Sequence, residues 1–204
     1  GAPHISLYGL TIEPGTAFAE RAAAGLLQLP DDEQWANLYH RIQSRLSDAG
    51  IEQYEVSNFS RPGHRSKHNH ATWRGGHYMG LGPSAHGFTP SGLRWMNPAD
   101  LRLWDSQDPP EPEAPSPREA AIDYLLSSLR HIEGSDLDHL AACSGLQPRP
   151  STVADLMKEN LIHLVDRNLC LHAGALALAD GVTRKLCEAL DPIPTKVGFH
   201  PMIS

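Results

Sequence analysis

Five of the chain's twelve histidines, His64, His68, His70, His77 and His86, fall within one 23-residue window. Imidazole binds heme iron or zinc through a ring nitrogen and titrates near neutrality, so such density in a loop marks a candidate site. The plain alternative is a solvated polar loop rich in histidine. Zinc is the weaker reading, because it wants two ligands on each of two framing elements. His64 and His68 at i, i+4 would face together only on a helix. A second candidate is the run YMGLGPSAHG over 78–87. Small residues after a strand let a ligand approach the backbone, and free amides there can hold an anion. The same glycine spacing also serves turns and close packing. Cys143, Cys170 and Cys187 are far apart, and neither CxxC nor CxxxCxxC occurs. No local zinc or iron–sulfur cradle can be built from them, and they read as reduced, mostly buried thiols.

The elements that must carry these residues are set by periodicity. Residues 4–12 read as a buried strand, and Thr16 caps a short helix that ends at Gly25. Asp31 or Asp32 starts a longer helix with Trp35, Leu38, Tyr39, Ile42 and Leu46 on one face, stopped by Gly50. Residues 53–57 form the next strand, and strand–helix–strand in this rhythm predicts a βαβ unit with parallel strands. Tyr8 and Tyr54 lie on these strands and read as core. Residues 58–77 are polar, broken by Pro62-Gly63 and Gly75-Gly76, and form the kind of long loop that usually carries function. A strand over 78–82 and a hairpin-like piece around 92–97 come next.

The stretch 107–117, QDPPEPEAPSP, holds five prolines and three acids and reads as an extended linker. Ser116-Pro117 then opens a helix with Ile122, Leu125, Leu126, Leu129 and Ile132 on its apolar side, ending at Gly134. Ser135 caps a second helix to Gly145, and a third spans 151–162. NLCLH and ALALA read as two strands around a tight turn, and Asp180 caps a last helix to Leu190. Three helices, a two-stranded wing and a closing helix form the order of a winged-helix domain, with 191–204 a loose tail.

Bulk properties exclude several classes. A formal charge of −7 argues against nucleic-acid or anionic-membrane partners. The helix that would read DNA carries Asp155 and Glu159 against Lys158. No apolar run approaches the roughly 20 residues that cross a bilayer. The first residues lack a basic start and an apolar signal core, which leads us to expect a cytoplasmic protein.

The blocks HISLYGLTIEPGTAF, QYEVSNFSRPGH and HNHATWRGGHYMGLGPSAHG resemble, in order and spacing, successive blocks of the oxygen-independent coproporphyrinogen III oxidase-like radical-SAM family. The likeness covers roughly residues 4–87 and leans to the heme-chaperone branch. It implies an α/β chain. Residues 1–106 would be the last strands of a partial (βα) radical-SAM barrel, 107–117 the linker, 118–190 a small α+β winged-helix-like C-terminal domain and 191–204 the tail. In the heme-chaperone branch a motif HNxxYW is associated with heme. Here it stands as His68, Asn69, His70, Ala71, Thr72 and Trp73, with Thr72 in place of the aromatic. The resemblance makes His68 the axial ligand of heme iron, Asn69 its orienting neighbour, Trp73 a porphyrin-packing ring and His70 a substitute ligand. Glu13, Gly80 and Gly82 would line the barrel mouth, with Glu13 binding S-adenosylmethionine or substrate, or capping the helix near Thr16. His86 matches the family pattern without an assigned role. The family's [4Fe–4S] cluster needs a CxxxCxxC loop near its N-terminus, which this chain lacks, so it is expected to be a C-terminal portion unable to cleave S-adenosylmethionine alone. Expected partners are heme or porphyrin, a heme-acceptor protein and a second copy of the chain. The alternatives are a portion of a true coproporphyrinogen III oxidase and, more remotely, a non-enzymatic winged-helix binding module.

Overall fold

Asp31 closes a capping box with Gln34: its side chain accepts from the Gln34 amide while the Gln34 side chain accepts from the Asp31 amide. This fixes the start of the longest helix in the computed structural model, which describes residues 1–106 and 110–194. The chain folds as two units, Gly1–Lys67 and His68–Ser204.

The first unit runs β1 (His4–Ser6), α1 (Ala17–Ala23), α2 (Asp32–Asp48), β2 (Glu52–Gln53) and β3 (Asn58–Ser60). Thr16 caps α1 as expected, accepting from the Ala19 amide, and Gly25 takes the left-handed conformation after it. On α2, Tyr39 is buried and donates its hydroxyl to the Val56 carbonyl at 2.8 Å, whereas Leu38, expected on the apolar face, is exposed.

The sheet departs from the parallel pair expected of strand–helix–strand. Its order is β1-β3-β2, and β1 and β2 each pair antiparallel with β3. The outer strands therefore do run the same way, but β3 lies between them. The reason is local. The stretch expected to be one strand, 53–57, turns back at Tyr54–Ser57, where buried Glu55 accepts from the Ser57 amide at 2.8 Å and from Asn58 at 2.5 Å. A carboxylate folded onto the next residues makes a turn, not a ladder. Tyr54 is core, its hydroxyl bonded to His4 at 2.8 Å, but Tyr8 lies past the end of β1 and is exposed.

The second unit continues with α3 (Lys67–Trp73), which begins at the boundary, then β4 (His86–Phe88), β5 (Arg94–Met96) and α4 (Leu101–Ser106). The strand expected at 78–82 is reduced to a single bridge, Tyr78 with Phe88, because Gly82 and Ser84 both take positive φ, of 95° and 58°. β4 and β5 form the hairpin expected near 92–97. Residues 107–109 of the proline-rich stretch lie outside the described residues. Further along it, Glu113 exchanges both backbone hydrogen bonds with Arg94, at 2.8 and 2.9 Å.

Ser116 and Glu119 close a capping box on α5 (Pro117–Ser128), with Pro117 in its first turn. The order is then β6 (Ser135–Asp136), α6 (Leu137–Ser144), β7 (Leu146–Pro148), α7 (Pro150–Lys158), β8 (Ile162–Val165), β9 (Asn168–Leu171), a 3₁₀ segment Ala173–Leu178, α8 (Ala179–Glu188) and β10 (Leu190–Pro192). α6 is capped by Asp136 rather than Ser135, and α5 stops at Ser128, short of Gly134. Leu126 and Ile132 are exposed, while Leu125 and Leu129 are fully buried with Leu140, Leu156, Ile162, Leu169 and Leu186. The two expected strands around Ala173-Gly174 are corrected: the hairpin is β8–β9 about Asp166-Arg167, and ALALA forms the 3₁₀ segment. Alternating Leu and Ala imitates a strand period, but Ala has little strand preference. Residues 195–204 of the expected tail lie outside the described residues.

Candidate functional site

The HNHATW segment is helical, and its residues divide by what they touch. His70, Trp73 and Arg74 reach the segment 130–133. His70 Nδ1 lies 3.0 Å from Nε2 of His131, whose side chain is buried. The Arg130 guanidinium lies over the Trp73 ring, 5.3 Å from its centroid, and Arg74 pairs with Glu133. Arg130 in turn reaches Asp180 at 3.2 Å.

The partners fix where the protons of the histidine pair sit. The Glu133 amide donates to His131 Nδ1 at 3.1 Å, so that nitrogen keeps its lone pair. Neutral imidazole has one N–H, which must sit on Nε2 and donate to His70 Nδ1. The proton of neutral His70 then sits on its own Nε2. His70, His131 and Glu133 place donor atoms within 4.8 Å of one another, yet an incoming cation would have to displace that shared proton and the Arg74 ion pair. We read the trio as a hydrogen-bonded clamp on α3.

His68 is placed differently. It is exposed, and among the described residues no hydrogen bond or ring contact involves its imidazole; only its backbone carbonyl is engaged, by Thr72 at 3.0 Å. Asn69 beside it is partly buried. Trp73 is expected from the motif to pack on a porphyrin, but one face of its ring is covered by Arg130, and its buried indole nitrogen has no hydrogen-bond partner among the described residues. Thr72, one turn after His68 on the same side of α3, lines a cavity of about 710 Å³ together with His86, Phe88, Tyr124 and His139. That volume is in the range of cofactor pockets. The walls are largely apolar and aromatic, and two imidazoles, His86 and His139, lie in the lining.

Gly80 and Gly82 line a separate cavity of about 720 Å³ with Trp95 and Trp104. Buried Asn97, which sequence reading missed, holds their loop by donating to the carbonyls of Gly80 at 3.2 Å and Gly82 at 2.9 Å. A side chain at Gly80 would come within 2.1 Å of the His86 carbonyl, so glycine is needed there for packing. Glu13 belongs to the first unit, is exposed, and gives its backbone carbonyl to Thr16 at 2.7 Å.

The cysteines do not fit an iron–sulfur cluster. They lie on α6, β9 and α8, and no group of three converges among the described residues. Burial pushes each thiol up, opposite to what thiolate ligation needs.

Comparison with known proteins gives this geometry a context. Heme chaperone HemW of Mycobacterium tuberculosis is 46% identical over 97 residues, 48% of this chain and 25% of that protein. HemW of Synechocystis is 37% identical over 142 residues, 66% of this chain and 34% of the relative. The mouse mitochondrial radical S-adenosyl methionine domain-containing protein 1 is 48% identical over 90 residues, 44% of this chain and 20% of its own length.

Over part of its length the chain is similar to HemW-type heme chaperones and to a radical S-adenosyl methionine domain-containing protein.

The matched stretches span only a fifth to a third of these relatives. No protein-family model matches the chain. In fold it resembles the coproporphyrinogen III oxidase HemN of Escherichia coli, a radical-SAM enzyme, with a TM-score of 0.65 at 15% identity over 91% of this chain and 48% of that one. No helix among the described residues is long and apolar enough to cross a membrane.

Proposed function

We propose that the chain is the heme-holding portion of a chaperone-type radical-SAM protein, and that His68 ligates the iron of the heme it carries. The observation that supports this is the division of labour on α3. His70, Trp73 and Arg74 are tied to residues 130–133, while the His68 ring stands exposed, with no partner among the described residues. A rigidly anchored helix that offers one unengaged imidazole is suited to ligation. Asn69 flanks it, and His86 lines the adjacent cavity. His70 is a poorer substitute ligand, since its Nδ1 is held against His131.

In a complete parent, residues 1–106 would close part of the barrel, 107–117 would link, and 118–190 would form the winged-helix-like domain. The order α5, β6, α6, α7, β8, β9 supports the last assignment. Gly80 and Gly82 would face S-adenosylmethionine there, the [4Fe–4S] cluster would come from other residues, and heme would pass to an acceptor protein. The oxidase alternative would need that cluster for turnover.

The test is a hemin titration of the chain and its His68→Ala variant, followed at the Soret band. Saturable binding weakened at least about tenfold in the variant is expected. Binding that ignores His68, or no binding at all, would remove the proposal.

A further inference from the structure

Resting on the reading of His68 as iron ligand, we infer that the porphyrin ring seats in the cavity beside Thr72 and that His139 of α6 supplies the second axial ligand. Nothing in the HNHATW segment itself provides that ligand, because His70 is held by His131.

The cavity of about 710 Å³ lies within the second unit and is bounded by two sets of residues. One set comes from α3 and the segment from there to β4: Thr72, Gly75, Tyr78 and Phe88. The other comes from α5 and α6: Tyr124, His139 and Cys143. Tyr78 and Phe88 pack at 6.4 Å between ring centroids, and Tyr124 and His139 at 4.7 Å. A flat conjugated ring between such walls gains both apolar burial and aromatic contact. His68 precedes Thr72, a lining residue, by one turn of α3, and His139 of α6 lies in the lining itself.

Of the ligand-capable side chains in the lining, His139 is the best prepared. Its ring rests on Tyr124, whose hydroxyl is pinned by the Asp136 amide at 3.0 Å. Asp136 also caps α6, accepting from the His139 amide at 3.1 Å. Ring and backbone of His139 are thus both fixed before any ligand arrives. Cys143, one turn later on the same face, keeps its proton because burial raises its thiol, so it makes a poor iron ligand. His86 lines the cavity too, but among the described residues no ring contact fixes its side chain. Arg94, also in the lining, is already held by Glu119 at 2.9 Å and Asp123 at 2.7 Å. Recognition would therefore run through the iron and the ring rather than through the propionates.

The experiment uses the whole chain with hemin, read by absorbance and electron paramagnetic resonance of the ferric complex. The wild-type complex is expected to be six-coordinate and low-spin. His139→Ala should shift most of it to the high-spin form, with affinity reduced about three- to tenfold. His139→Met, which restores a ligand of another kind, should return a six-coordinate spectrum with altered bands. His139 is exposed on a helix where alanine is favourable, so folding is preserved. An unchanged low-spin spectrum in His139→Ala, or loss of it in His86→Ala instead, would overturn the assignment of His139 while leaving His68 in place. A wild-type chain that takes up no hemin would overturn both.

Discussion

His131 stands 61 residues after His70 in the chain, yet its Nε2 lies 3.0 Å from His70 Nδ1. It is the innermost contact of a three-point attachment in which Trp73 meets Arg130 and Arg74 meets Glu133. His70 and Trp73 lie on the seven-residue helix α3, Arg74 directly follows it, and His68 of the same helix takes no part in the attachment.

That separation predicts opposite behaviour for two histidines. Replacing buried His131 with Ala leaves a cavity and strips partners from His70 and the Glu133 amide. A loss of about 2–4 kcal/mol is expected in urea denaturation. His68→Ala should change stability by no more than about 0.5 kcal/mol. Equal losses in the two variants would contradict the division.

Gly134 should tolerate nothing larger. Its φ is 69°, and an added Cβ would come within 2.3 Å of the Leu169 carbonyl, which is backbone and cannot move aside. Gly134→Ala is expected to cost at least about 2 kcal/mol, seen as a lower midpoint of thermal or urea unfolding.

The capping box of α5 gives the chain a weakness in acid. Hydrogen bonds from Ser116, and then from Arg94, hold the Glu119 carboxyl below its ordinary value. A depressed folded value means the stabilisation is fully present above the unfolded pKa of about 4.3 and is lost as pH falls through the lower folded value. The wild-type urea midpoint should therefore drop below about pH 4. Glu119→Gln should be weaker at pH 7 and show a flatter acid limb; parallel limbs would refute this. Ser116→Ala should cost about 1 kcal/mol at pH 7.

Much of this architecture can be read from the linear chain where local rules decide. Thr16, Asp31 and Ser116 announce their helices through capping chemistry that needs no tertiary partner. The strands are harder. Glu55 turns the chain where Tyr54 and Val56 advertise a strand, and the alternation in ALALA is spurious. His131 gives no linear signal, because it lies far from the histidine-dense window and comes after an ordinary helix; only folding brings it to His70. Asn97 likewise looks like a loop residue until the carbonyls of Gly80 and Gly82 converge on it.

Apolar residues on the surface of the first unit suggest association in solution. Tyr8, Leu10 and Leu26 are each about two-thirds exposed, at 67%, 65% and 68%. Large apolar side chains this exposed favour contact with another molecule where they adjoin. Light scattering at micromolar concentration should give a mass above 22.3 kDa, and Leu10→Lys with Leu26→Lys should return it toward the monomer. A monomeric wild-type chain would refute the expectation.

The three-point attachment of α3 also limits how the motif can be transplanted. HNHATW grafted onto a foreign scaffold would arrive without Arg130, His131 and Glu133, and its helix would have nothing to lean on. In natural variants, a change at 70, 73 or 74 should be answered by one at 131, 130 or 133, so these pairs would be inherited as matched sets.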